Sequence, residues 1–197
     1  MKHAIITGHP NPESFTSAVA GVYAEAVRAL GHEVVERDLY RCAFDPCLRK
    51  DEIPRASGFA AGDDVEAERA LIADADTFVF VYPLWFNFPP AILTGYVQRV
   101  FGTGFGYNSL PPGGRKKLLL GRGMISFSSS GSPSEWLRSQ GSWEAIRHLF
   151  DDHVAEVCGL TMLEHRHFGR IQPNTPASQI DAHFSEVRAV VERLFGQ

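Results

Sequence analysis

The sequence predicts an α/β domain built on a doubly wound, five-stranded parallel sheet with helices on both faces. Three observations lead there. Short β-branched and apolar runs alternate with stretches whose apolar residues recur every three or four positions, so strand and helix periods take turns along the chain. One run, "TFVFVY" at 77–82, is apolar and β-branched without a break, which suits a central parallel strand covered on both faces. The 197 residues suffice for one core between a sheet and its helices, so 1–197 reads as a single domain.

In chain order, "HAIIT" (3–7) is the first strand, and Phe15, Val19, Tyr23, Ala26 and Leu30 then mark one helix face that Gly31 stops. "EVVERDL" (33–39) is the second strand. Residues 41–62, rich in Asp, Pro, Arg and Gly, read as irregular before a short polar helix over 64–75. The third strand leads into the helix "PPAILTGYVQRVF", with Pro90 near its first turn, where a missing N–H does little harm. A glycine- and proline-rich loop (102–114) precedes the fourth strand, "GMISF" (123–127). Trp143, Ile146, Phe150, Val154 and Val157 place a helix over 142–157, "TMLEHRHF" (161–168) is the fifth strand, and 177–195 forms the last helix. Parallel neighbours need crossovers, and right-handed crossovers put helices on both faces.

A composition of 44% hydrophobic and 21% charged residues with a net charge of −4 is that of an ordinary globular chain and argues against a nucleic-acid or anionic-membrane surface. Pro83, Asn87, Pro89 and Pro90 interrupt the most apolar stretch before ~20 continuous residues accumulate, so no membrane insertion is expected. The apolar part of "MKHAIITGHP" is too short for a signal peptide. Cys42, Cys47 and Cys158 are odd in number and lack the spacing of a zinc or thioredoxin-like site, so they read as reduced thiols of a cytoplasmic protein.

Ligands of such sheets bind beyond the carboxyl ends of the strands, which places three loops on one rim: "GHPNPESFT" (8–16), "PLWFNFP" (83–89) and "SSSGSPS" (128–134). The first offers hydroxyls and N–H groups where a helix begins, the setting of an anion cradle. It has no Walker-type lysine and no G-x-G-x-x-G fingerprint, which disfavours a nucleoside triphosphate. The second sets Leu84, Trp85, Phe86 and Phe88 at a strand end, as a planar apolar ligand or a partner requires. The third suits hydrogen bonding to the polar edge of a heterocycle. Phosphate, aromatic ring and polar ring edge together describe a flavin.

"HPNPESFT", "YPLWFNFPPAILTGYVQRVF" and "CGLTMLEH", in that order and at those separations, resemble the flavodoxin-like NAD(P)H:quinone oxidoreductases, in the shorter form found in bacteria. The resemblance covers residues 4 to about 168, and its most specific part is the Pro83-Leu84 loop joined to the helix that begins Pro90-Ala91-Ile92-Leu93. It implies a flavin, FMN or FAD, whose phosphate is lined by His9, Ser14, Phe15 and Thr16. Pro83, Leu84, Trp85, Phe86 and Asn87 would flank the ring, and Ser128, Ser129, Ser130 and Gly131 would meet its pyrimidine edge. Phe105 and Tyr107 would edge a substrate pocket formed across a homodimer interface. The activity implied is hydride transfer from NAD(P)H through flavin N5 to a quinone or similar flat acceptor, in ping-pong fashion. A second reading is a flavin-binding regulatory subunit of a potassium-efflux system; a one-electron carrier of flavodoxin type has weaker support.

Simpler roles stand beside these. His9 could only assist capping, Ser14 and Thr16 could serve as N-cap residues as well as phosphate ligands, and Trp85 and Phe86 could belong to a core. The tyrosine and histidine that many family members carry after the third loop are replaced by Ser134 and Gln140, or by Trp136 and Ser142 if the register shifts by two. No catalytic side chain is assigned. His165 and His167 alternate on a strand and share a face, but no third ligand is visible, so they read as structural and no metal is expected.

Overall fold

The computed structural model describes residues 1–55, 58–108 and 116–196. Its five-stranded sheet is wholly parallel, in the order β2-β1-β3-β6-β7, from β1 (Lys2–Thr7), β2 (Glu33–Asp38), β3 (Thr77–Pro83), β6 (Gly123–Ser129) and β7 (Thr161–Phe168). The intervening elements are α1 (Phe15–Ala29), α2 (Asp63–Ile72), α3 (Ala91–Val100) and a two-residue antiparallel pair, β4 (Tyr107–Asn108) with β5 (Lys116–Lys117). After β6 come α4 (Ser134–Ser139), α5 (Ser142–Ile146), a π-helical turn (Arg147–Asp152) and α6 (His153–Cys158); α7 (Ala177–Phe195) is the last element. This is the doubly wound architecture expected from the alternation of periods, in the flavodoxin-like form that the resemblance implies.

Strand alternation divides the core. Val79 and Val81 join Ile5, Ile125 and Phe127 against α1 and α7, through Val19, Tyr23, Val27, Val187 and Val191. Phe78, Phe80 and Tyr82 join Ile6 and Met124 on the other face, against Val65 and Ile72 of α2 and Leu93, Tyr96 and Val100 of α3. Every residue of β3 is buried, as the unbroken run "TFVFVY" requires.

Three features depart from the expectation. The single helix expected over 142–157 is three pieces, and its widened middle turn buries two successive residues, Phe150 and Asp151. Helix α4 was not foreseen. The expected loop 102–114 carries β4, and its residues 109–114 lie outside the described residues. In addition, β7 bulges where Met124 pairs with Met162 but Ile125 pairs with Glu164. A one-residue slip exchanges the faces of a strand. Beyond the bulge, His165 and His167 therefore stand opposite Ser126 and Ser128, on the face of Met124.

Arg99 anchors the irregular segment after β2. Its guanidinium is fully buried and forks onto Glu52, at 2.9 Å through Nε and 2.6 Å through Nη2, while Nη1 donates to Asp64 at 2.7 Å and to the Asp45 carbonyl. Gly95 lets the same segment approach α3, since a Cβ there would lie 2.3 Å from the Pro46 carbonyl oxygen. Hydrogen bonds from Arg99 hold both the Glu52 and Asp64 carboxyls below the usual carboxylate range. Depressed carboxyl pKa values stabilise the fold fully above about pH 4, the unfolded value, and that contribution is lost as pH falls through the folded values. Arg99→Ala, which leaves Glu52 buried without its cation, is expected to cost about 3–5 kcal/mol in urea denaturation and to abolish this acid dependence.

Candidate active site

All three rim loops are tied at their roots by backbone hydrogen bonds that continue the sheet past its strand ends. The N–H of Gly8 donates to the Val81 carbonyl at 3.0 Å, that of Leu84 to Ser129 at 2.6 Å, and that of Ser130 to Phe168 at 3.0 Å. Between them lies a cavity of about 200 Å³ lined by His9, Ser14, Phe15, Thr16, Pro83, Leu84, Trp85, Ser129, Ser130, Gly131 and Ile171.

Ser14 is the N-cap of α1 and accepts from the Ser17 N–H at 3.1 Å. Among the described residues no partner takes the N–H of Phe15 or Thr16, so the helix start presents free donors beside the cavity. His9 Nδ1 lies 3.0 Å from the Asn11 nitrogen and 3.1 Å from its carbonyl oxygen, which engages that ring nitrogen within the loop and leaves Nε2 without a partner among the described residues, and the ring lies 5.8 Å from that of Trp85. The cradle therefore offers N–H groups, two hydroxyls and an imidazole nitrogen, a set suited to an anion.

The second loop turns tightly. Trp85 and Phe88 exchange both backbone hydrogen bonds, at 3.0 and 2.9 Å, and the two residues between them, Phe86 and Asn87, have φ of 52° and 60°. A phenylalanine in left-handed backbone is strained, and this one is 99% exposed. Phe86 and Asn87 border a separate recess of about 450 Å³ with Phe88, Pro89, Thr94, Ser142, Ile146 and Leu149.

Of the thirteen residues expected to contact a cofactor, the first cavity gathers ten, leaving out Phe86, Asn87 and Ser128. Ser128 is buried, with its hydroxyl 2.7 Å from His165 Nε2 and 2.9 Å from His167 Nδ1. Phe105 packs on Phe78 and Phe101 near the amino end of β3, and Tyr107 borders a different cavity, of about 330 Å³, beside Phe59 and Val154. Neither meets the rim loops within one chain.

Sequence reasoning missed Ile171 as a wall of the cavity and Asp151 as a buried carboxylate. Asp151 Oδ2 is 2.5 Å from His165 Nδ1, and its Oδ1 accepts from Ser126 at 2.7 Å. Only part of the signal was present: Ser126 and Ser128 alternate along β6, and His165 and His167 along its neighbour, but neither spacing tells which faces meet or that Asp151 turns inward. Among the described residues no cluster of His, Cys, Asp or Glu could hold a metal, no helix is long and apolar enough to cross a membrane, and the three cysteines are free thiols.

A parallel sheet carrying these three loops on one rim is an α/β protein of doubly wound type, with its candidate site beyond the carboxyl ends of the strands. The family model described as "Flavodoxin-like fold" matches residues 1–191. An uncharacterized NAD(P)H oxidoreductase of Haemophilus influenzae is 34% identical over 172 residues, 87% of this chain and 85% of that protein. The solved NAD(P)H:quinone oxidoreductase of Methanothermobacter marburgensis superposes with a TM-score of 0.86 at 25% identity, over 100% of this chain and 98% of that one. An FMN-dependent NADH-azoreductase of Bacillus anthracis, solved with FMN, has a TM-score of 0.73 at 19% identity over 98% of each chain, a likeness of fold. The chain belongs to the flavodoxin-like NAD(P)H:quinone oxidoreductase family and is an oxidoreductase.

Ser14→Ala removes the acceptor for the Ser17 N–H and is expected to lower stability by about 1 kcal/mol, whereas Ser14→Asp, itself a good cap, retains it; urea denaturation distinguishes the two.

Proposed function

We propose that the rim binds a flavin and that the protein reduces quinone-like, flat acceptors with NAD(P)H as a homodimer. The observation that carries this reading is the convergence of three loops on one cavity, with free helix N–H groups at one wall and Trp85 and Leu84 at another. The residues fit the group: the Phe15 and Thr16 N–H groups, the Ser14 and Thr16 hydroxyls and His9 Nε2 would hold its phosphate. Leu84 and Trp85 would lie against the ring, with Ser129, Ser130 and Gly131 at its polar edge. A flavin bound there would supply two-electron hydride chemistry at N5 between NAD(P)H and the acceptor, the two substrates using one opening in turn.

The protein's own contribution is placement. The strained Trp85–Phe88 turn fixes the aromatic wall, and the backbone ties at Gly8, Leu84 and Ser130 keep the three loops in register. The exposed side chains of Phe86, Phe88 and Leu149 around the larger recess are the surface a twofold partner would cover, and Tyr107 would meet rim loops only as those of a partner across such an interface.

Both FMN and FAD share the phosphate and ring. One observation favours FAD: a recess of about 590 Å³ continues from the cradle through Ser14, Phe15 and Ile171 toward Gln172, Ile180 and Phe184, where an adenosine would lie. The family neighbour solved with FMN supports the shorter cofactor. Denaturing the purified protein and identifying the released flavin by chromatography decides between them.

Purified protein is expected to oxidise NADPH or NADH when a quinone is supplied; a colourless protein that neither binds added flavin nor turns over would overturn the reading. Ser14→Asp should lower FMN affinity at least about tenfold while leaving riboflavin affinity unchanged, since a carboxylate in the cradle opposes only the phosphate. Trp85→Ala should weaken both ligands by about tenfold, because stacking on an aromatic wall contributes ~1 kcal/mol or more. Fluorescence titration measures all four affinities.

A further inference from the structure

Six hydroxyl, imidazole and carboxylate groups form one chain of hydrogen bonds beneath the cavity floor. Ser126 Oγ lies 2.7 Å from Asp151 Oδ1; Asp151 Oδ2 lies 2.5 Å from His165 Nδ1; His165 Nε2 lies 2.7 Å from Ser128 Oγ. Ser128 Oγ lies 2.9 Å from His167 Nδ1, and His167 Nε2 lies 3.1 Å from Ser130 Oγ, which borders the cavity. The Asp151, His165 and Ser128 spacings match a nucleophile triad, but Ser128 is buried on a strand and its oxygen is also engaged by His167, so no substrate carbonyl reaches it.

Counting donors and acceptors leaves two self-consistent arrangements with Asp151 ionised. In the first, His165 is protonated on both nitrogens, and every bond points toward the cavity: His165 Nε2–H to Ser128, Ser128 O–H to His167 Nδ1, His167 Nε2–H to Ser130. Ser130 then donates outward, resting on the Ser132 carbonyl at 3.0 Å. In the second, His165 is neutral with its proton on Nδ1, and every bond points inward, from Ser130 O–H to His167 Nε2, from His167 Nδ1–H to Ser128, and from Ser128 O–H to His165 Nε2. The two arrangements differ by one proton. The chain is fully satisfied in both, as a polar network in a core must be, and it opens to the cavity only at Ser130.

We propose that Asp151, His165, Ser128 and His167 form a one-proton wire that delivers a proton through Ser130 to the group reduced in the cavity. The proposal rests on the functional reading above. A hydride carries two electrons and one hydrogen nucleus to a neutral acceptor, which leaves a negative charge for one further proton. Ser130 gives up its O–H proton and takes one from His167 Nε2; His167 Nδ1 takes one from Ser128; Ser128 takes one from His165 Nε2. The imidazolium becomes neutral imidazole, four N–H or O–H bonds break and four form, and a proton returning from the cavity reverses each. Only Ser130 faces the cavity; the other four are positioning residues.

The surroundings suit that role. His167 faces Ser128 and Ser130 from β6 and its loop, His165 along its own strand, and Arg138 from α4; burial, His165 and Arg138 push it down to about 4, so it changes tautomer rather than charge. His165 meets Asp151 from the π-helical turn, Tyr82 from β3 with ring centroids 6.3 Å apart, and Trp143 from α5 at 4.7 Å. Burial and Asp151 hold the Tyr82 hydroxyl well above its ordinary value, so it stays neutral beside the wire.

Imidazole ¹⁵N spectra of the flavin-free protein read the wire directly, because they report which ring nitrogen carries hydrogen. As pH rises and the network gives up its one extra proton, His167 is expected to exchange Nε2–H for Nδ1–H in a single step. Ser128→Ala should hold His167 in one tautomer throughout, and Ser128→Thr, which keeps the hydroxyl, should restore the coupling. A His167 tautomer that stays fixed across the whole pH series, or a tautomer exchange that survives Ser128→Ala, overturns the wire. With flavin bound, Ser128→Ala should slow reduction by NADPH about 10²-fold at unchanged flavin affinity, the scale of a lost proton transfer; an unchanged rate overturns the link to the cavity. Intact tautomer coupling in a protein that binds no flavin would leave the wire standing and sink the functional reading instead.

Discussion

The pairing of β3 with β6 is the constraint on which the rest of the site depends. Residue by residue, Thr77 faces Gly123 and Pro83 faces Ser129, and the ladder does not stop at the strand ends: the Leu84 N–H still reaches the Ser129 carbonyl. That one extra bond fixes the aromatic loop against the serine-glycine loop. The same device recurs on either side, from Gly8 to Val81 and from Ser130 to Phe168, so the cavity walls inherit the register of a fully buried sheet. A loop tied in this way cannot drift without breaking a buried backbone hydrogen bond, which costs on the order of 1–3 kcal/mol. Such ties also let the Trp85–Phe88 turn hold a phenylalanine in left-handed backbone.

Much of this was legible in the sequence because it follows from strong, local signals. An unbroken run such as "TFVFVY" has one good solution in a domain of this size, a central strand, and β3 takes it. The stripe from Ile180 to Leu194 marks a helix whose observed ends are Ala177 and Phe195. The rim followed from topology: once the strands are parallel, their carboxyl ends share an edge, and Ser14, Trp85 and Ser129 must gather there.

What the sequence hid are the two places where a regular element changes its count. Hydrophobic spacing describes the helix around Trp143, Ile146 and Phe150 well enough to hide its π-helical turn, because a widened turn preserves the apolar stripe while drawing one more residue inward. That residue is Asp151. The bulge in β7 is equally silent, since Met162 and Leu163 are both apolar and a pairing slip between them leaves no mark in composition. Without it, alternation would put His165 and His167 on the face of Phe127, against α1 and α7. Neither the carboxylate nor the imidazoles could then have been matched to the serines of β6 by pattern alone.

These two irregularities act on the same network. A buried carboxylate facing an apolar layer is costly without partners, and two imidazoles facing Phe127 would be equally misplaced. Each irregularity supplies what the other lacks: the turn brings Asp151 in, the bulge turns His165 to meet it, and the odd spacing of Ser126, Ser128 and Ser130 fills the remaining acceptors and donors. Regular secondary structure would leave three polar groups unpaired in the core, whereas paired departures from it leave a satisfied chain with one end at the cavity. The polar network and the two local distortions are therefore a single structural decision, and among its members Ser130 is the one that borders the cavity.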